Sequence, residues 1–427
     1  NDDGEATGAD LKRTIGALTY AIFNDNIENK KISLPKLPYD EYSDLQKYKV
    51  AGRVDTFYGD LKINEKMMSL DVCSEYPYNM AVNSVWFPHG TDKDIIRTGE
   101  DEYVSPPNEN SHEDDDNKLA FYECSFDQSI LKEKNLPNIY PKKEFNILKK
   151  TGEETKTCLK NNWNYQGMIK NYVISNVMIK LMRDNGVLVK IHKGFVFQKK
   201  IKSYKLFKPI LNFMKGKNYQ DGLKNKKDDK YNPAIREMLK LIMNALSGKV
   251  IEGIHTSTTK MVENYDEFLA YQEKHGLPTM VEIQGERLFT TYKRDEQELI
   301  KTQRPIYLAV LIYDYSKKLM WETKKLIGLN KCVYEDTDAI KLREVDGNKL
   351  IKEHFSKMTV PHWEYVEQID PRYKTHKLYE PDSKLFGSFE NELNDNDLFY
   401  KVGKKSYLSC HREGIKKYYD DPIKYKD

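Results

Sequence analysis

Two short apolar runs, Cys332-Val333-Tyr334 and Ala339-Ile340, close on an acidic centre of Glu335, Asp336, Thr337 and Asp338. The pattern predicts a β-hairpin with an acidic tip. Burying a carboxylate is costly unless something pairs with it. Asp336 and Asp338, one residue apart between two strands, therefore suit a divalent cation as partner. Read alone, they suit an acidic turn in solvent as well, and the rest of the chain has to decide.

At 427 residues the chain can bury a sizeable core and hold two or three structural units. Its 69 basic and 66 acidic residues leave a net charge of +3, so affinity for nucleic acid has to come from local basic patches. The cysteines, Cys73, Cys124, Cys158, Cys332 and Cys410, are scattered, odd in number and without a C-x-x-C pair. That indicates neither a zinc site nor a disulfide framework, and points to an intracellular, reducing compartment. No apolar run approaches a membrane span and the polar N-terminus is not a signal peptide, so no membrane partner is expected. Thirty tyrosines suit an AT-rich genome or stacking against nucleic acid.

Lys66–Val72 reads as a strand running into a turn at Ser74–Pro77. Thr91–Lys118, rich in acids and proline, reads as a loop or insertion. Short strands are expected at Leu119–Phe126 and Phe145–Leu148, and one or two at Val187–Phe197. Ile174, Val177, Met178, Leu181 and Met182 fall at helical spacing, as do Ile235, Met238, Leu239, Ile242 and Leu246 after Asn232-Pro233. The second of these helices is expected to stop at Gly248. A basic stretch starts at Lys199, residues 251–303 are polar with little core, and Ile306–Ile327 is a long helix leading into the hairpin. Strands and helices without a regular βαβ alternation indicate an α+β fold.

Three further groups bear on chemistry. Asp71 ends a core strand, where it either binds something or caps the turn that follows. With Asp336 and Asp338 it would supply the oxygen ligands that Mg²⁺ prefers. Lys240, Asn244 and Gly248, four apart, share a helical stripe, which suits either a triphosphate or a solvated helix face ending in glycine. Lys405 and Tyr407, two apart on a strand, point the same way, as a phosphate contact beside a sugar or base contact would require. A lysine-rich surface strand reads the same.

In order along the chain these give an acid followed by S-x-Y-P, then K-x-x-x-N-x-x-x-G, then Y-x-D-T-D, then K-x-Y. The series resembles the polymerase motifs of family B DNA polymerases, most closely the protein-primed branch of phages, adenoviruses and linear plasmids. It spans roughly residues 48–410. Ala51-Gly52-Arg53 is similar to the glycine motif ahead of the palm, and Leu385-x-Gly387-x-Phe389-x-x-Glu392 to the stretch before K-x-Y.

The resemblance implies a right-hand polymerase: an antiparallel-sheet palm, helical fingers, two insertions and a truncated thumb. Its division of the chain would be an N-terminal segment at 1–47, the palm's first motif at 48–92, a first insertion with palm elements at 93–203, and fingers at 204–250. A second insertion at 251–303, the palm's acidic hairpin at 304–378, and the palm end with the start of a thumb at 379–427 would follow. The residues ahead of Tyr48 are too few for a 3′–5′ exonuclease domain and lack its acid-x-acid motif, so the chain is expected to be a polymerase core without one.

Asp71, Asp336 and Asp338 would be the catalytic carboxylates, holding two Mg²⁺ ions or Mn²⁺. Tyr76 matches a sugar-sensing tyrosine, while Lys240, Asn244 and one of Lys226 and Lys227 match positions that meet the incoming nucleotide. Lys405 and Tyr407, supported by Glu392 and by Gly52 and Arg53, match the primer-binding positions. The implied partners are template-primer DNA, deoxynucleoside triphosphates and a terminal protein primer. Four departures stand out: Glu75 for leucine, Ala245 and Ser247 for serine and tyrosine, and Ala339 for serine. The leading expectation is a DNA-directed DNA polymerase. The alternatives are a catalytically reduced structural or nucleic-acid-binding subunit and, third, a reverse transcriptase.

Overall fold

The computed structural model describes residues 14–57, 62, 63, 65–98, 103, 104, 118–150, 153–215, 232–253, 257–285, 287–380, 384–392, 398–403 and 406–410. Five short strands form the central antiparallel sheet: β1 (Val54–Thr56), β2 (Met67–Val72), β3 (Cys332–Asp336), β4 (Ala339–Arg343) and β5 (Phe389–Asn391). Their spatial order is β1-β3-β4-β2-β5. Burial is continuous along β3 as far as Glu335 and opens at Asp336. The expected hairpin is there: β3 and β4 are joined by Thr337 and Asp338, with Asp336 opposite Ala339.

Three helices frame this sheet: α1 (Ile15–Asn29), α2 (Pro233–Val250) and α3 (Ile306–Ile327). The N-terminal helix starts at Ile15, where the Thr14 side chain caps it, accepting from the Ala17 N–H. It lies against α2, where the Thr19 hydroxyl donates to the Ile242 carbonyl at 3.2 Å. The second helix runs two residues beyond Gly248, because Val250 beneath it is buried in the core. Every residue of α3 from Ile306 to Asp314 is buried. A helix start apolar all round reads as core, and α3 packs against α2 and the turn after β2.

A second sheet runs in the order 168–175, 119–127, 189–197, 95–98, with Tyr103–Val104 also paired to the 189–197 strand. Two of its strands fall inside the segment read as a loop, because β5-like brevity hides them from a periodicity count. Phe145–Leu148 belongs to a longer strand, Lys142–Lys150, paired with Glu153–Asn162, a largely polar segment without an alternating apolar signal. The polar stretch after α2 forms strands Ser257–Val262, Met280–Gln284 and Arg287–Lys293 with helix Tyr265–His275, and Met280–Gln284 is exposed throughout. That agrees with the expectation of little core there. No helix of the described residues is long and apolar enough to cross a membrane.

Candidate active site

Register places the acids. Asp336 lies opposite Ala339, Ala339 opposite Asp71, and Asp71 opposite Glu390. Directly opposed residues of a sheet project to the same face. Asp336, Asp71 and Glu390 therefore share one face, with the small Ala339 leaving room between the first two. Neighbouring strands are about 4.8 Å apart, so Glu390 is one strand from Asp71 while Asp336 is two strands away. Carboxylate oxygens of Asp71, Glu390 and Glu392 lie within 4.8 Å of one another.

Glu390 and Glu392 thus stand beside Asp71, and of the neighbouring acids Asp338 acts on its charge most strongly. Asp336 accepts from the Tyr334 hydroxyl at 3.4 Å. Asp338 sits on the turn, its N–H donating to the Asp336 carbonyl at 2.8 Å and its own carbonyl accepting from Val72 at 2.9 Å. It is close enough to Asp71 for the two charges to act on each other. Glu392, expected beside the primer end, thus joins the carboxylate cluster. Glu390 was missed by sequence reasoning. The pairing of β5 with β2 that brings it to Asp71 is not legible in the sequence.

Electrostatics mark the cluster as short of positive charge. Burial pushes the Asp71 carboxyl up to about 8, helped by Asp338, Glu392 and Glu390 and opposed by Lys240. Burial likewise raises Asp338 to about 6, with Glu392 and Asp336 adding to the rise and its own backbone and Lys240 opposing. An all-oxygen donor set with crowded, partly buried charge fits a hard divalent cation such as Mg²⁺ or Mn²⁺. Lys240 and Asn244 lie on α2 as expected, Lys240 exposed and Asn244 half-buried. Beside Gly248 the space is open: a Cβ built there would meet nothing within 4 Å.

Two backbone positions next to the acids are strained. Thr337 has φ +63° and Ser74, leading into the Tyr76 turn, has φ +49°. A left-handed conformation is unusual for a β-branched residue and is held only where surroundings enforce it. At Thr337 the enforcing neighbour is the segment ahead of β1: the Thr337 N–H donates to the Arg53 carbonyl at 2.8 Å. Gly52 allows this approach, because a Cβ there would lie 2.5 Å from Thr337 Cγ2 and 2.8 Å from its Cα. Gly52→Ala should therefore displace the acidic tip, costing about 1–3 kcal/mol in stability and a larger share of activity. Urea unfolding alongside an activity assay checks this, and an alanine variant indistinguishable from wild type in both would remove Gly52 from the account.

Arg53, expected to face the primer, is turned under the hairpin instead. It is 3% exposed, and its guanidinium lies over the rings of Phe57 and Trp163. Its Nη2 donates to Asp55 at 2.9 Å and its Nε stands 3.7 Å from Glu335. Glu335 alternates with Asp336 along β3, so it projects to the α3 side of the sheet, where it pairs with Lys324. The acidic tip thus rests on a buried group of two cations and two anions. Glu75, the residue in the leucine position, also turns inward. It is 2% exposed, burial holds its carboxyl well above the usual range, and it accepts from the Ser316 hydroxyl. Tyr76 follows it, half-buried, with its ring against Tyr313. Tyr407 lies on strand Ser406–Cys410, opposite Lys401. Lys226, Lys227 and Lys405 lie outside the described residues.

Comparison with known proteins bears on this arrangement. The fold is similar to Phi29 DNA polymerase complexed with primer-template DNA and incoming nucleotides: TM-score 0.55, 17% identity, 94% of this chain and 56% of that one. An orthorhombic crystal form of the same polymerase gives 0.56 and 18% over 93% and 56%. The chain thus spans little more than half the length of these polymerases, and at such identity the likeness shows the right-hand fold. Over 145 residues it is 25% identical to Uncharacterized protein 075R of Invertebrate iridescent virus 3, covering 32% of this chain and 85% of that one. The family described as DNA polymerase type B, organellar and viral, matches residues 10–327, and the chain belongs to it.

Proposed function

We propose that this chain is a DNA-directed DNA polymerase, adding deoxynucleotides to a primer 3′-hydroxyl by two-metal-ion nucleotidyl transfer. The observation that supports the reading best is the row of carboxylates on one face of the central sheet, their proton affinity raised by burial and by one another and opposed by Lys240 on the stripe of α2. Asp71 and Asp338, with Asp336, Glu390 and Glu392 around them, would hold the metal ions. When bound, Mg²⁺ or Mn²⁺ supplies Lewis-acid polarisation of phosphate oxygens and lowers the proton affinity of an attacking hydroxyl. Lys240 and Asn244 orient the triphosphate, and the Tyr76 ring crowds a ribose 2′-hydroxyl. Lys405 and Tyr407 steady the primer end, with Lys226 or Lys227 as a further phosphate contact. Phosphate contacts make template binding fall with salt.

The complexed Phi29 polymerase holds primer-template DNA and incoming nucleotide substrates; template-primer DNA and deoxynucleoside triphosphates are proposed here for this chain. Protein-primed replication of a linear viral or plasmid genome, with a terminal protein as partner, is the finer reading. It is favoured by the two regions of extra strands, 95–197 and 257–293, placed before and after α2. The test is extension of a recessed primer with deoxynucleotides and Mg²⁺. Template-directed products that disappear with a chelator support the proposal. Tight DNA binding without products would favour a polymerase-derived nucleic-acid-binding subunit.

A further inference from the structure

Two departures from the resembled motifs, Glu75 in the turn after β2 and Ser247 on α2, are answered by the same helix. Glu75 accepts from Ser316 of α3. One turn earlier on α3, the Tyr313 ring lies 5.1 Å from the Tyr76 ring at an interplanar angle of 51°. The Tyr313 hydroxyl lies near the Ser247 side chain, which opposes the rise that burial gives its proton affinity. Residues three apart on a helix share a face, so Tyr313 and Ser316 meet the turn together.

The contacts continue into the nucleotide stripe. Ser247, 2% exposed, gives its own hydroxyl hydrogen to the Asn244 carbonyl at 3.0 Å. The Gly52 backbone lies near the Tyr76 hydroxyl. The Tyr76 ring is thus backed along its side by Tyr313. A small residue at position 247 leaves a space between α2 and the turn, and the Tyr313 ring, 8% exposed, fills it from α3. A ring that discriminates by crowding does so only if it cannot retreat, because close-packed neighbours transmit the clash.

We propose that Tyr313 is a positioning residue that sets sugar specificity: it backs the Tyr76 ring, occupies the space beside Ser247, and makes exclusion of ribonucleotides depend on α3. This rests on the polymerase reading above. Acting through Tyr76, it touches neither the metal site nor the reacting atoms.

The experiment compares single-nucleotide incorporation of a deoxynucleotide and the matching ribonucleotide by wild type, Tyr313→Ala, Tyr313→Leu and Tyr313→Phe. The alanine and leucine variants should lose discrimination by roughly 10-fold or more, chiefly through a lower KM for the ribonucleotide with kcat for the deoxynucleotide little changed. Tyr313→Phe keeps the ring and should restore discrimination. Tyr313→Leu serves where the alanine variant does not fold. Wild-type discrimination in Tyr313→Leu overturns the proposal, as does an equal fall in kcat for both sugars, which a merely structural role would produce. Wild type that incorporates neither sugar overturns the polymerase reading itself, a result distinct from either.

Discussion

Replacing Asp71 or Asp338 with alanine should cut nucleotide incorporation by roughly 10³-fold or more, about 4 kcal/mol of transition-state stabilisation, since each would remove a metal carboxylate. The same substitutions should not weaken the fold in the absence of divalent ions. Both carboxyls are raised by burial and by neighbouring acids, Asp71 to about 8 and Asp338 to about 6. An acid raised above its unfolded value near 3.9 binds more protons folded than unfolded. Its contribution to stability is full below that unfolded value and is lost as pH rises through the folded one. Wild type in a chelator should therefore lose stability relative to Asp71→Asn between about pH 4 and 8, and Mg²⁺ should return it. Parallel thermal melts of the two proteins across this range measure the difference. A purely structural Asp71, capping the turn after β2, gives the opposite: the asparagine variant is less stable at every pH and Mg²⁺ changes nothing.

Lys324→Met should destabilise the protein by about 3–5 kcal/mol although Lys324 touches no proposed ligand. Lys324 and Glu335 are a buried pair, their side chains 3% and 1% exposed. Removing the lysine leaves Glu335 facing Arg53 at 3.7 Å, while Arg53 is already engaged by Asp55 at 2.9 Å. A buried charge stripped of its close partner carries its desolvation cost uncompensated, whereas replacing both partners with apolar groups is near neutral. Lys324→Met/Glu335→Leu should then recover most of the loss. Urea unfolding of the three proteins tests it. A single variant within about 1 kcal/mol of wild type, the range of exposed pairs, would show that the pair does not support the hairpin.

Local order made much of this molecule legible. The hairpin at Cys332–Arg343 is announced by two apolar runs around acids, and α3 by unbroken apolar spacing from Ile306. Lys240 and Asn244 sit together because four-residue spacing on a helix dictates it. Partnership over long sequence distances was not legible. Glu390 reaches Asp71 only because β5 pairs with β2, and nothing in residues 385–392 alone names that strand as its neighbour. Arg53 is legible in the sequence only as part of the glycine motif matched to primer binding. Its carboxylate partner Glu335 and the rings of Phe57 and Trp163 arrive from elements far along the chain, and they turn it inward. Glu75 stands in the sequence as a departure from leucine, and only the fold shows that Ser316 of α3 gives it a buried partner. Each of these cases is a polar residue whose meaning depends on what the fold places opposite it.

Single-nucleotide incorporation onto a recessed primer, followed for wild type and Asp71→Ala in Mg²⁺, tests the central claim most directly. The account predicts addition of the deoxynucleotide complementary to the template by wild type, and loss of that addition in Asp71→Ala with DNA binding retained. Equal incorporation by both proteins, or none by wild type that nonetheless binds the primer-template, would contradict it.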